Sequence, residues 1–147
     1  MRTYFLMACA VLGLAACASV PPGDAQMDGT LKTFMPKSQM AGIYIYRNEG
    51  ISTMGKMDVS VDGKSIGQIA DKTYLYAEVA PGRHIVTGRK GDSSIGGVEI
   101  NASPGRLYYV KQASKEGWFN VGSTLSQVDA IEAQRDIKRS SLAVGQP

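Results

Sequence analysis

The 147-residue sequence is poor in the residues from which catalytic and metal sites are usually assembled, with two cysteines, one histidine and one tryptophan. Cys9 lies inside an N-terminal apolar run and Cys17 stands at its end. Beyond Cys17 there is no thiol, hence no disulfide and no cysteine metal site, and stability must come from a hydrophobic core. His84 has no second histidine to share a metal and no nucleophile set beside it, so it reads as a turn-flanking or strand residue. Gly91, Gly96 and Gly97 flank Asp92-Ser93-Ser94, but neither the helix nor the lysine of a phosphate cradle follows, and the stretch reads as a mobile hairpin loop. The acids lack the spacing of a calcium loop. The expectation is therefore no catalytic residue, no metal and no cofactor. Like charges form no block, and a net charge of +3 is too mild and too dispersed to argue for nucleic acid.

What the sequence does have begins at its N-terminus. Arg2 is the only charge before Asp24, and Tyr4 to Leu14 is almost wholly apolar. That stretch has the length of a signal-peptide core and falls short of the roughly 20 residues a spanning helix needs. Two cleavage readings follow. Ala16-Cys17-Ala18 fits an ordinary secretory site. Leu14-Ala15-Ala16-Cys17 resembles the lipobox of bacterial lipoproteins, where the cysteine sulfur takes a diacylglyceryl group and cleavage precedes it. The second reading is preferred, because cysteine at that position is rare by chance. It implies a signal peptide over residues 1–16, a lipid on Cys17, and a membrane anchor of several acyl chains, each contributing about 0.8 kcal/mol per buried CH2. With Ala18 next, the lipoprotein pattern implies an outer-membrane address facing the periplasm.

Residues 17–39 carry Pro21-Pro22-Gly23 and no sustained period, which predicts a flexible tether with at most a short ordered piece near Leu31 to Met35. From Met40 the pattern becomes alternation broken by glycine, the signature of an antiparallel β domain. Met57, Val59 and Val61 alternate with Asp58, Ser60 and Asp62, and Asp62-Gly63 is a tight-turn signal with Lys64 to Ile69 as the returning strand. In Thr73 to Val79, one face carries Leu75, Ala77 and Val79 and the other Tyr74, Tyr76 and Glu78. Arg83 to Arg89, Val98 to Ala102, Arg106 to Gln112 and Trp118 to Leu125 continue the pattern. After Ser126 glycine disappears until Gly145, and Val128, Ile131 and Ile137 fall roughly on a helical stripe; Asp129 with Glu132 has the spacing of a capping box, and Ser126 with Asp129 offers an alternative start. The prediction is a mainly β fold, an antiparallel sandwich of seven to eight strands over residues 40–140 with one C-terminal helix, then a frayed tail over 141–147.

Val59-Ser60-Val61-Asp62-Gly63-Lys64, a short strand reaching Gly67, and Pro81-Gly82-Arg83-His84 resemble the turns of PEGA-type domains, small β-sandwich modules of envelope proteins. Adding Ile43-Tyr44-Ile45-Tyr46-Arg47 and Gly105-Arg106-Leu107-Tyr108-Tyr109-Val110, the chain is similar to small bacterial lipoproteins of a domain-of-unknown-function family, of the DUF family 2846 type. The resemblance implies the sandwich fold and an envelope setting, and carries no catalytic residue with it.

The tyrosines supply the candidate binding surface. Tyr44, Tyr46, Tyr74 and Tyr76 alternate in two strands, Tyr108 and Tyr109 lie in a third and Trp118 beyond. On one exposed face they would form an aromatic platform for an envelope protein or a glycan; cross-strand packing in a core is the plainer alternative. The functional expectation is a lipid-anchored, non-enzymatic binding or scaffolding module. Two alternatives stand beside it: an envelope glycan or peptidoglycan hydrolase using strand carboxylates such as Asp58, Asp62, Glu78 and Glu99, and a carrier of a small apolar ligand between its sheets.

Overall fold

A computed structural model describes residues 20–50, 55–116 and 121–145. The elements run α1 (Ala25–Leu31), β1 (Ala41–Arg47), β2 (Met57–Val61), β3 (Lys64–Ile69), β4 (Thr73–Val79), β5 (Gly82–Lys90), β6 (Ser93–Ala102), β7 (Leu107–Glu116), β8 (Val121–Gln127), α2 (Ala130–Lys138) and β9 (Ser141–Leu142). The strands form two sheets, in the orders β8-β7-β1-β4-β9 and β3-β2-β5-β6. The chain is thus a mainly β sandwich with a C-terminal helix.

Local chemistry accounts for much of this. Asp62 and Gly63 both adopt positive φ, +51° and +79°, as the twist of a two-residue hairpin demands. Residues with alternating polarity in β2 and β4 place Val59, Val61, Leu75 and Val79 inward. They meet Ile43, Ile45, Ile69, Val86, Ile100 and Val110 between the sheets. β1 is buried along all seven residues, because it sits mid-sheet and is covered on both faces. α2 begins at Asp129, whose carboxylate accepts from the Ile131 N–H at 2.7 Å. Glu132 closes no reciprocal capping contact and instead pairs with Lys111 of β7 at 2.6 Å.

Several expectations need correcting. The five-stranded sheet is mixed, since β1 pairs parallel with β7 and β4 parallel with β9. The supposed glycine-rich loop is mostly strand: β6 starts at Ser93, leaving Gly91-Asp92 as the turn from β5. From Val20 onward the expected tether is part of the fold. Val20 lies in the sandwich core, the Pro21 carbonyl accepts from the Val144 N–H at 3.0 Å, and the Gly23 N–H donates to Leu142 at 2.8 Å. The tail is equally engaged, with Leu142 and Ala143 buried and Gly145 bridged to Gly67 of β3. The two terminal segments satisfy each other's backbone hydrogen bonds, and neither could do so alone. Residues 1–19 and Trp118 lie outside the described residues.

Candidate functional site

The two outer faces of the sandwich are built from opposite kinds of side chain. On the five-stranded sheet, Tyr44 and Tyr46 of β1, Tyr74 and Tyr76 of β4 and Tyr109 of β7 share one face, as the alternation predicts. They are not an exposed platform. Tyr44, Tyr46, Tyr74 and Tyr109 are buried beneath Ala133 and Ile137 of α2 and, from the N-terminal segment, Leu31 and Phe34. Tyr44 stacks on Tyr109 with ring centroids 5.4 Å apart. The Tyr44 hydroxyl donates to the Leu31 carbonyl at 2.7 Å, and the Gln134 amide donates to the Tyr109 hydroxyl at 2.7 Å. Burial pushes the Tyr44 and Tyr74 phenols well above their ordinary range, so both stay neutral. Tyr108 points the other way, packing on the sandwich core while its hydroxyl accepts from the Ser103 N–H. Tyr76 is half-buried beside a groove of about 230 Å³ next to α1.

Asp28 fixes α1 onto this layer. Its carboxylate accepts from the Tyr74 hydroxyl at 2.8 Å, the Leu142 N–H at 3.0 Å and Lys32 at 2.7 Å. Burial opposes its charge, but these donors outweigh burial and hold the carboxyl below its ordinary range.

Among the described residues no helix lies over the outer face of the four-stranded sheet. Two polar rows cross it: Ser65, Ser60, Thr87 and Gly97 in one, and Gln68, Asp58, Arg89 and Ser94 in the next. Between these rows the register shifts twice, at Val59/Ser60 against β3 and at Thr87/Arg89 against β6. Val59 pairs with Gly88, so both irregularities fall at one level of the sheet. Such bulges bend strands and re-aim side chains. Here they accompany a groove of about 440 Å³ lined by Asp58, Ser60, Ser65, Thr87, Arg89 and Ser94. Asp58 accepts from the Gln68 amide at 2.8 Å, whereas the side chains of Ser60, Ser65, Thr87, Ser94 and Arg89 make no hydrogen bond or ion pair among the described residues. The groove therefore offers hydroxyls, a guanidinium and a carboxylate oxygen to a polar ligand.

The acids considered for hydrolysis are engaged separately. Glu78 belongs to the other sheet and pairs with Lys37 at 2.8 Å, and Glu99 pairs with Arg83 at 2.7 Å. Asp62 holds His84: Nδ1 lies 2.6 Å from the Asp62 carboxylate and Nε2 lies 2.7 Å from the Ala80 carbonyl. Only a ring protonated at both nitrogens can donate to both acceptors at once. The hydrogen bond to Asp62 raises the His84 pKa, and the same bond lowers that of Asp62. The Asp-Gly turn and the Pro-Gly-x-His turn, separate in sequence, are thus one structural clasp, strengthened by the Ile85 N–H donating to Asp62 at 2.8 Å. At the sandwich interior's polar end, buried Arg47 donates to Glu49 at 3.0 Å and to the Gly55 carbonyl at 2.8 Å, while Glu49 accepts from the Ser114 N–H and hydroxyl. Among the described residues no group of three or more His, Cys, Asp or Glu could hold a metal, and no helix is long and apolar enough to cross a membrane.

These features define a β-sandwich with one helix-covered face and one bare polar face. The chain belongs to the family described as "Protein of unknown function (DUF2846)", whose model matches residues 37–124. The matched span holds β1 to β7 and part of β8, and excludes both helices. An uncharacterized protein of Haemophilus influenzae is 32% identical over 132 residues, covering 89% of this chain and 78% of the relative.

Proposed function

We propose that this protein is a lipid-anchored envelope lipoprotein that binds a polar partner through the bare face of its four-stranded sheet and performs no chemistry of its own. The observation that carries the binding role is the groove over aligned bulges, whose hydroxyls and guanidinium have no partner among the described residues. Unpaired groups at such a surface are solvated, so a ligand that replaces their water must supply hydrogen bonds in return. A hydroxyl- and amide-bearing polymer such as peptidoglycan meets that requirement. The anchor rests on the Leu14-Ala15-Ala16-Cys17 run.

Each half of the reading has its own test. Cys17→Ser is expected to lose incorporation of labelled palmitate and to leave the membrane fraction; retention in membranes without lipid label refutes the anchor. For binding, detergent-solubilised protein is expected to co-sediment with purified peptidoglycan sacculi, and Asp58→Ala and Arg89→Ala to weaken that association. Absence of co-sedimentation by the parent protein removes peptidoglycan as the ligand.

A further inference from the structure

The docking of the N-terminal segment has a consequence for the anchored protein. The sequence alone suggests 23 tether residues between lipid and domain, a fully extended reach of roughly 75–80 Å. The fold removes nearly all of it. Val20 is in the core, Pro22 bridges Ala143, and Asp24 caps α1 by accepting from the Met27 N–H at 2.8 Å. Only three residue steps separate Val20 from Cys17, about 10 Å at full extension. A domain of this size has a radius of gyration of about 14 Å. A lipid on Cys17 therefore keeps the edge where the chain enters, at Val20 beside β9, within about 10 Å of the bilayer.

That side has the chemistry for it. Met27 is 56% exposed, Met35 81% and Val144 48%. Val144 shares a backbone hydrogen bond with Pro21, and Met27 and Met35 border the groove beside α1 together with Leu31 and Tyr76. Lys32, Lys37 and Lys138 belong to the same layer, with Lys32 over the Tyr74 ring and Lys138 over the Phe34 ring, each at 5.9 Å. Exposed flexible apolar side chains suit the interface between headgroups and acyl chains; Lys32 and Lys37 are already paired with Asp28 and Glu78, and Lys138, which makes no ion pair among the described residues, is the ammonium left to reach the phosphates. Resting on the Cys17 reading, we infer that the α1 side of the domain, through Met27 and Met35, lies directly on the bilayer that holds the anchor. The groove of the four-stranded sheet, on the opposite face of the sandwich, then points away from the membrane.

The test uses the lipidated full protein in phosphatidylethanolamine–phosphatidylglycerol vesicles. With the Cys17 sulfur alkylated, Met35→Cys or Thr87→Cys provides a single free thiol for an environment-sensitive fluorophore. Both parent residues have side chains outside the main core, so neither label requires the core to open. Vesicles carrying doxyl-labelled lipid are expected to quench most of the emission at position 35 and to leave position 87 nearly unchanged. Protein that floats with vesicles but is unquenched at position 35, or equally quenched at both positions, overturns the membrane-facing side while the anchor reading stands. Protein that fails to float overturns both.

Discussion

The covered face and the bare face obey the same strand alternation yet end in opposite states, and residue bulk decides which. On the five-stranded sheet the outward positions hold tyrosines, each able to bury roughly 150–250 Å². Leaving several such rings in water forfeits much of the available stabilisation, so α1 and α2 fold over them; the Tyr44, Tyr74 and Tyr109 hydroxyls find partners there, whereas the buried Tyr46 hydroxyl has none among the described residues. On the four-stranded sheet the corresponding positions hold Ser60, Ser65, Thr87 and Gly97. Small hydroxyl side chains gain little by being covered, and that face stays open. Aromatic residues, the usual signature of a binding surface, here mark the structural face.

Substitutions on the two faces should separate most widely in stability. Tyr44→Ala is expected to cost about 3–5 kcal/mol in urea unfolding, as ring truncations in cores do. Thr87→Ala on the bare face should stay within about 0.5 kcal/mol. Similar losses at both positions would break the comparison.

Two glycines give a smaller version of the same contrast. A Cβ at Gly42 would lie 2.6 Å from the Tyr76 ring, which crosses β1 there, so Gly42→Ala should cost about 1–3 kcal/mol by overpacking. At Gly97 the nearest contacts are side-chain methyls of Ile85 and Thr87 at 3.3 Å, which can yield a few tenths of an ångström. The Gly97→Ala midpoint should shift much less than that of Gly42→Ala.

Asp28→Ala tests what keeps the covered face covered. It leaves the Tyr74 hydroxyl and the Leu142 N–H without their acceptor, at a cost of about 1–3 kcal/mol. Amide exchange should accelerate over residues 20–31 while the strands of the bare sheet keep their protection. Unchanged exchange over 20–31 would show that α1 is held by something else.

The smallest effect concerns the Asp62–His84 clasp at the turn end of the bare sheet. His84 has a raised pKa, so its contribution is complete below the unfolded imidazole value of 6.5 and is lost as pH rises through the folded value. Asp62 has a lowered pKa, so its contribution is complete above the unfolded carboxyl value of 3.8 and is lost as pH falls through the folded value. The clasp is therefore strongest between those limits. Asp62 is half-exposed, which keeps its worth below about 1 kcal/mol. The difference in thermal midpoint between parent and His84→Gln should narrow as pH rises above neutrality; a constant difference from pH 5 to 9 would mean the imidazole is not charged.

Much of this was legible in the residue pattern. β3 and β4 have the predicted bounds, the Asp62-Gly63 turn has the expected backbone, and Asp129 caps the C-terminal helix. The tyrosines do share a face. Their cover was hidden because α1 has only seven residues, no buried side chain and Gly29 within it, so it forms through the long-range tie from Asp28 rather than through propensity. β9 is two residues long and exists only because β4 and the N-terminal segment bond to it. The groove was equally hidden. Its hydroxyls look like an ordinary solvated strand face, and nothing in the alternation announces that Ile66 and Gly96 fall at register shifts. Non-local pairing decides both features.

The proposed partner site is the open groove and not the tyrosine face. Thr87→Trp tests it most directly, by placing a large ring in the groove and measuring sacculus co-sedimentation together with the urea midpoint. Association is expected to be lost at an unchanged midpoint. Association as strong as the parent's, with the ring in place and the fold intact, would contradict it.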